Sequence, residues 1–257
     1  MDIAKKNKLQ EIILFLFLVI FPFGQLFKTS FQPIDLIVGL AFLYIIIFSL
    51  RTPKAVAVLR NFLLAAGFSL LFSFSFFKTV PLFTGFLYLL RLTFYAYFVL
   101  FVFNFTKGSE IKKNLLVNGL IAVSFFSAVF GWIQYFWFPD FRPFTVFGWD
   151  DHLYRLIGTF LDPGFTSIVI VFGIIATLYK FFSTKNRKLV LLITFFIFSL
   201  AFTYSRAGYI SFIAGALFLA VSEKKTKEII LMLAAFLFIV LALPRTAGEG
   251  VKLERTA

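Results

Sequence analysis

The residues most able to do chemistry in this chain are two arginines, Arg155 in "DDHLYRLIGTFLDPGFTS" and Arg206 in "LAFTYSRAGYISF". Arg206 is the only charged residue between Lys188 and Glu223. A guanidinium carries a planar fork of donors that matches phosphate or carboxylate oxygens two at a time, and Ser205 adds a hydroxyl beside it. Arg155 precedes a turn marked by Gly158, Pro163 and Gly164, after which Asp162 or Thr166 is placed to cap a helix. That helix start would point the positive end of its dipole toward the same region. Two arginines and a helix N-terminus make an anion site; an Arg155–Asp162 ion pair, and an Arg206 snorkelling to headgroups, are the structural alternatives. Arg91, in "FLYLLRLTFYAYF", is a further apolar-flanked cation, with either Asp35 or a substrate as its partner.

The elements that must hold these residues are membrane spans. The chain has 257 residues, 61% hydrophobic and 14% charged, with 42 phenylalanines and a mean hydropathy of +0.96. So few charged side chains cannot furnish the polar surface of a soluble domain of this length. Cysteine is absent, which excludes disulfides, thiolate catalysis and thiolate metal sites. The net charge of +13 would indicate nucleic acid in a soluble chain; here it sits in loops, and no nucleic-acid partner is expected.

Apolar runs predict an all-α polytopic bundle of about nine spans: 12–27, 34–50, 62–76, 82–105, 115–136, 166–182, 189–203, 208–221 and 229–243. With the N terminus cytoplasmic, the inner segments carry three, three, three, four and three Lys/Arg, and only eight lie outside. The outer face then receives the loop from Trp137 to Pro163, the break at Tyr204, Ser205 and Arg206, and a polar stretch from Pro244, "PRTAGEGVKLERTA". The whole chain, 1–257, reads as one transmembrane domain cut short where a large external loop (244–257) begins. The runs flanking Arg206 are about 15 residues each, or about 22 Å of helix against a hydrocarbon core of about 30 Å. A recessed turn between two short helices fits that length, with the arginine facing a protein cavity.

His152, the only histidine, could join Asp150 and Asp151 at a metal or act as a general base, but loop residues adjacent in sequence seldom converge on one ion, and a solvated histidine is the expectation. The aromatic run "YFWFPDFRPFTVFGW" suits the membrane interface or stacking on sugars. No P-loop, GxGxxG, heptad array or internal repeat is present.

"YRLIGTFLDP", followed about fifty residues later by "TYSRAGYIS" on spans six to eight, resembles the O-antigen ligase and polymerase superfamily. The resemblance implies a bacterial inner-membrane enzyme for surface polysaccharides that needs neither metal nor cofactor. It moves a glycan from an undecaprenyl-diphosphate carrier to a hydroxyl of lipid A core, protein or another repeat unit on the outer face. Arg155 and Arg206 match the family's diphosphate-holding arginines and are the expected catalytic pair. Tyr204, Ser205, Asp162 and Arg91 are the expected substrate contacts. Gly164 follows Pro163 where the family commonly has Asn, and the family's histidine base belongs to the large external loop, beyond residue 257. His152, upstream of Arg155, does not match it. The rival classes are a carrier of a small anion such as bicarbonate, which predicts inverted repeats, and a non-catalytic membrane scaffold.

Overall fold

The computed structural model describes residues 3–24, 26, 32–48, 54–76, 82–147 and 152–243. The candidate metal partners Asp150 and Asp151, and the polar stretch 244–257, lie outside the described residues. Nine α-helices are described: α1 (Ile3–Ile20), α2 (Pro33–Phe48), α3 (Lys54–Phe76), α4 (Leu82–Thr106), α5 (Glu110–Trp137), α6 (Pro163–Thr184), α7 (Lys188–Phe202), α8 (Arg206–Glu223) and α9 (Thr226–Ala242). Their only β-type pairing, among these residues, is an isolated antiparallel bridge between Asp140 and Leu153.

Each apolar run falls on one helix, and most helices extend past the run into its charged flanks. The largest difference is at α1, which starts at Ile3 and ends at Ile20, before a 3-10 turn at Phe21–Phe23. Hydropathy marks only the greasy part of a helix, so the lysine-bearing first turns are invisible to it. Pro22 explains the early stop, since proline withdraws a donor and disfavours a helical residue before it.

The helices α4, α5, α6 and α8 are long and apolar enough to cross a membrane; α2, α7 and residues Val58–Ser73 are shorter apolar helices. Their outward faces are apolar too. Leu191, Phe218, Val221, Leu231 and Phe238 are all more than 70% exposed. Large apolar side chains exposed to this extent on several helices are costly in water and natural in lipid.

Contacts divide the chain into two compact units, Met1–Ile20 with Lys28–Leu116, and Phe21–Phe27 with Val117–Ala257. In the first, Ile37, Val38, Ala41, Tyr44 and Ile45 of α2 meet Phe98, Phe101 and Phe105 of α4, with Ile13 and Leu14 of α1 closing the cluster. The spacing of three and four residues puts each set on one helix face. In the second, α6 is the most enclosed helix. Ile170, Ile174 and Leu178 pack against Phe196 and Leu200 of α7 and Phe212 and Ala216 of α8, with Ile229 and Phe236 of α9 beyond them. The approach of α6 and α8 is close because Gly208 faces Ser167: a Cβ at 208 would lie 2.4 Å from Ser167 Cβ.

Candidate functional site

The second unit gathers its chemistry-bearing residues at one end, where α5 and α7 finish and α6 and α8 start. Gln134, in the last turn of α5, organises the connection between α5 and α6. Its Nε2 donates to Phe138 O at 2.9 Å. Its Oε1 accepts from the N–H of Ile157 at 3.0 Å and lies 3.4 Å from that of Gly158. Downstream of α5 the backbone doubles back: Phe141 N–H donates to His152 O, and Tyr154 N–H to Pro139 O, both at 2.8 Å. Leu156 then drops into a notch over Gly131, where a Cβ would come within 2.3 Å of it, and its N–H donates to Phe202 O at the end of α7 at 3.0 Å. The connection is thereby fastened to both α5 and α7.

The "GTFLDP" turn follows. Gly158 has φ +59°, a conformation that glycine adopts without a Cβ penalty. A 3-10 turn covers Gly158–Phe160 and Leu161 reverses the chain in the left-handed region. Thr159 Oγ1 donates to Pro22 O at 2.6 Å, which anchors the turn to residues 21–24. Asp162 caps α6 by accepting from Phe165 N–H at 2.6 Å, and Pro163 occupies the first helical position. Both follow from the sequence, because a carboxylate satisfies orphan N–H groups and proline needs no partner there.

The second helix start sits beside the first. α7 ends at Phe202, Tyr204 turns with φ +50°, and Ser205 caps α8 by accepting from Gly208 N–H at 3.1 Å. The expected break is present, at Thr203–Ser205, but α8 is 18 residues long rather than short, and Arg206 is its exposed first residue rather than a recessed one facing a cavity, because the helix starts directly after the Ser205 cap. The hydroxyls of Ser167 and Ser205 hydrogen-bond at 3.0 Å and tie the first turns of α6 and α8 together. Ser205 is buried, and its oxygen is engaged in capping. Tyr209 O–H, one turn into α8, donates to Ala201 O at 2.7 Å.

Arg206 is the first residue of α8 and is exposed. Arg155 is half-buried, one residue before the Leu156–Phe202 bond that fastens it beside the end of α7. Arg155, Arg206, Tyr204, Ser205 and Asp162 thus share one end of the second unit. Arg91 belongs to the first unit, where its Nε meets Asp35 Oδ1 at 2.8 Å and a terminal nitrogen donates to Gln32 Oε1 at 2.8 Å. Tyr95 O–H also donates to Asp35, at 3.1 Å. Of the two partners open to Arg91, the structure supplies the carboxylate.

His152 departs from expectation. It is 2% exposed rather than solvated, in a segment that two backbone bonds fold onto residues 139–141. In the same loop the Arg142 guanidinium grips Asp140 through Nε at 2.9 Å and a terminal nitrogen at 2.7 Å, which holds that carboxyl below its usual range. Sequence reasoning missed Gln134, Ser167 and Gly208. A lone glutamine late in an apolar span, and small residues near two caps, were the available signals.

No protein family, curated protein or solved structure matches the chain.

Proposed function

We propose that this chain is a bacterial inner-membrane glycosyltransferase of the O-antigen ligase and polymerase type, with about nine spans and a cytoplasmic N terminus. Its donor is a glycan on undecaprenyl diphosphate, and its acceptor is a hydroxyl of lipid A core, protein or a growing polysaccharide at the outer face. The observation that carries this reading is the pair of capped helix starts, α6 and α8, joined through Ser167 and Ser205, with Arg206 heading one and Arg155 at the same end.

Each helix start carries roughly half a positive charge and each guanidinium a full one, and together they exceed the single negative charge of the Asp162 carboxylate that caps α6. Such a constellation favours a diphosphate whose charge grows as the anomeric carbon–oxygen bond breaks, and it does so without a metal. The acceptor oxygen forms the new bond to the anomeric carbon. Its proton passes to a base, for which the family resemblance implies a histidine of a large external loop. Tyr204 flanks the diphosphate, while Asp162 and Ser205 shape the site by capping the two helices.

The test is glycan transfer by the purified full-length protein in vesicles containing a lipid-linked glycan and its acceptor. Arg206→Ala abolishes transfer while the protein still inserts and melts like the parent. Arg206→Lys is strongly impaired, because a point charge does not replace a two-pronged fork. Full transfer by Arg206→Ala would overturn the reading. Flux of a small inorganic anion that depends on Arg206, with no transfer, would favour a carrier instead.

A further inference from the structure

Five non-glycine residues among those described have positive φ: Tyr154, Leu161, Lys185, Tyr204 and Lys224. Four of them terminate a helix. Leu161 closes the 3-10 turn, Lys185 and Lys224 cap α6 and α8, and Tyr204 follows the end of α7. Left-handed backbone is the usual way to end a helix. Tyr154, with φ +48°, ends nothing. It lies just beyond the Asp140–Leu153 bridge, and an aromatic residue in that conformation is disfavoured unless its surroundings impose it.

The surroundings do impose it. Tyr154 N–H is bonded to Pro139 O, and two residues later Leu156 N–H is bonded to Phe202 O. Glycine or asparagine would make the same turn with less strain, so the turn alone does not call for a tyrosine. Nor is exposed aromatic surface lacking nearby, since Phe136 and Trp137 are 71% and 75% exposed. What the tyrosine adds is its ring. It is 45% exposed, immediately before Arg155, and braced edge-on by Tyr135 with centroids 6.5 Å apart. Tyr135 is in turn seated against Phe202, centroids 5.5 Å apart at 90°. The ring is an amphipathic plate held in place beside the proposed diphosphate site.

We propose that Tyr154, braced by Tyr135, is the stacking face for the sugar attached directly to the carrier diphosphate. This rests on the donor site proposed above. A sugar ring presents a face of C–H bonds that carry partial positive charge, and an aromatic ring presents a negative face to meet them. With the diphosphate held at Arg155 and Arg206, the first sugar is the part of the donor that an adjacent plate can reach. Tyr154 thereby becomes a specificity-determining residue that reads whether a carrier is loaded.

The experiment measures equilibrium binding of two probes to the detergent-purified full chain, undecaprenyl diphosphate alone and undecaprenyl diphosphate bearing one hexose. The parent binds the loaded carrier about five- to tenfold more tightly, the scale of one good ring contact. Tyr154→Gly, which suits the left-handed backbone and leaves the melting temperature at or above that of the parent, removes that preference while binding the bare carrier as before. Tyr154→Phe keeps the preference. A parent that binds both carriers equally, or a Tyr154→Gly variant that retains the preference, overturns the stacking role and leaves the diphosphate site standing. Failure of the parent to bind either carrier overturns both. Equal weakening for both carriers in Tyr154→Gly marks the residue as a structural support and also overturns the proposal.

Discussion

Replacing Gly208 by alanine should pry apart the two helix starts on which the site depends. The added Cβ would fall 2.4 Å from both Cβ and Oγ of Ser167 and 3.2 Å from Leu200 Cδ1. Ordinary contact begins near 3.4 Å, so α6 and α8 must separate by about 1 Å at this turn, because the backbone fixes Ser167 Cβ and no rotamer moves it. Overpacking of this kind costs about 1–3 kcal/mol, and loosening the Ser167–Ser205 hydrogen bond adds about 1 kcal/mol. Gly215→Ala, on the same helix, is the matched control. There the nearest atom is Ile175 Cδ1 at 3.1 Å, the tip of a flexible side chain, and helix propensity favours alanine by about 1 kcal/mol in both variants. Thermal unfolding in detergent should therefore place Gly208→Ala well below the parent, by about 5 °C or more, with Gly215→Ala close to it. If Gly208→Ala is no less stable than Gly215→Ala, the close approach of α6 and α8 is wrong and the paired helix starts lose their basis.

Gln134→Leu keeps the bulk of the side chain but strands the N–H of Ile157 and the carbonyl of Phe138. A loss of about 2–4 kcal/mol, together with earlier proteolysis within residues 138–162, is expected; Gln134→Glu keeps the acceptor and should lose less. Asp35→Asn removes the carboxylate that holds Arg91 and Tyr95. With Arg91 40% exposed, water screens part of the effect, so the loss should be about 1–2 kcal/mol. Asp35→Asn/Arg91→Gln should recover part of it, and a fully additive double variant would argue against the pair.

The helices were legible because apolar runs are written in composition: nine such runs became nine described helices, four of them long and apolar enough to cross a membrane. One cap was legible for a related reason. Asp162 before proline is a local signal whose partner lies within the same turn, whereas Ser205 reads in sequence as a ligand hydroxyl and is the cap of α8. The break at Tyr204 followed from length, since two runs of about 15 residues cannot form one span. What sequence did not reveal depends on contacts between distant segments. His152 is buried in a segment bonded to residues 139–141, and nothing near it announces those bonds. Gln134 reaches across 23 residues to Ile157. Ser167 and Ser205 meet only because Gly208 lets α8 approach α6. The strain at Tyr154 is likewise invisible in its letter, because tyrosine is the wrong residue for that conformation. Arg91 shows the opposite limit: its position in sequence left both Asp35 and a substrate open as partners, and the ion pair with Asp35 came from the fold of the first unit.

In the proposed donor site, Arg155 and Arg206 grip one diphosphate. A double-mutant cycle on the affinity for undecaprenyl diphosphate, using Arg155→Ala, Arg206→Ala and the double variant, tests it most directly. Two guanidiniums on one ligand predict that each single change weakens binding and that the effects are non-additive, with a coupling energy of about 0.5–3 kcal/mol. Strictly additive losses, or unchanged affinity in either single variant, would contradict the claim.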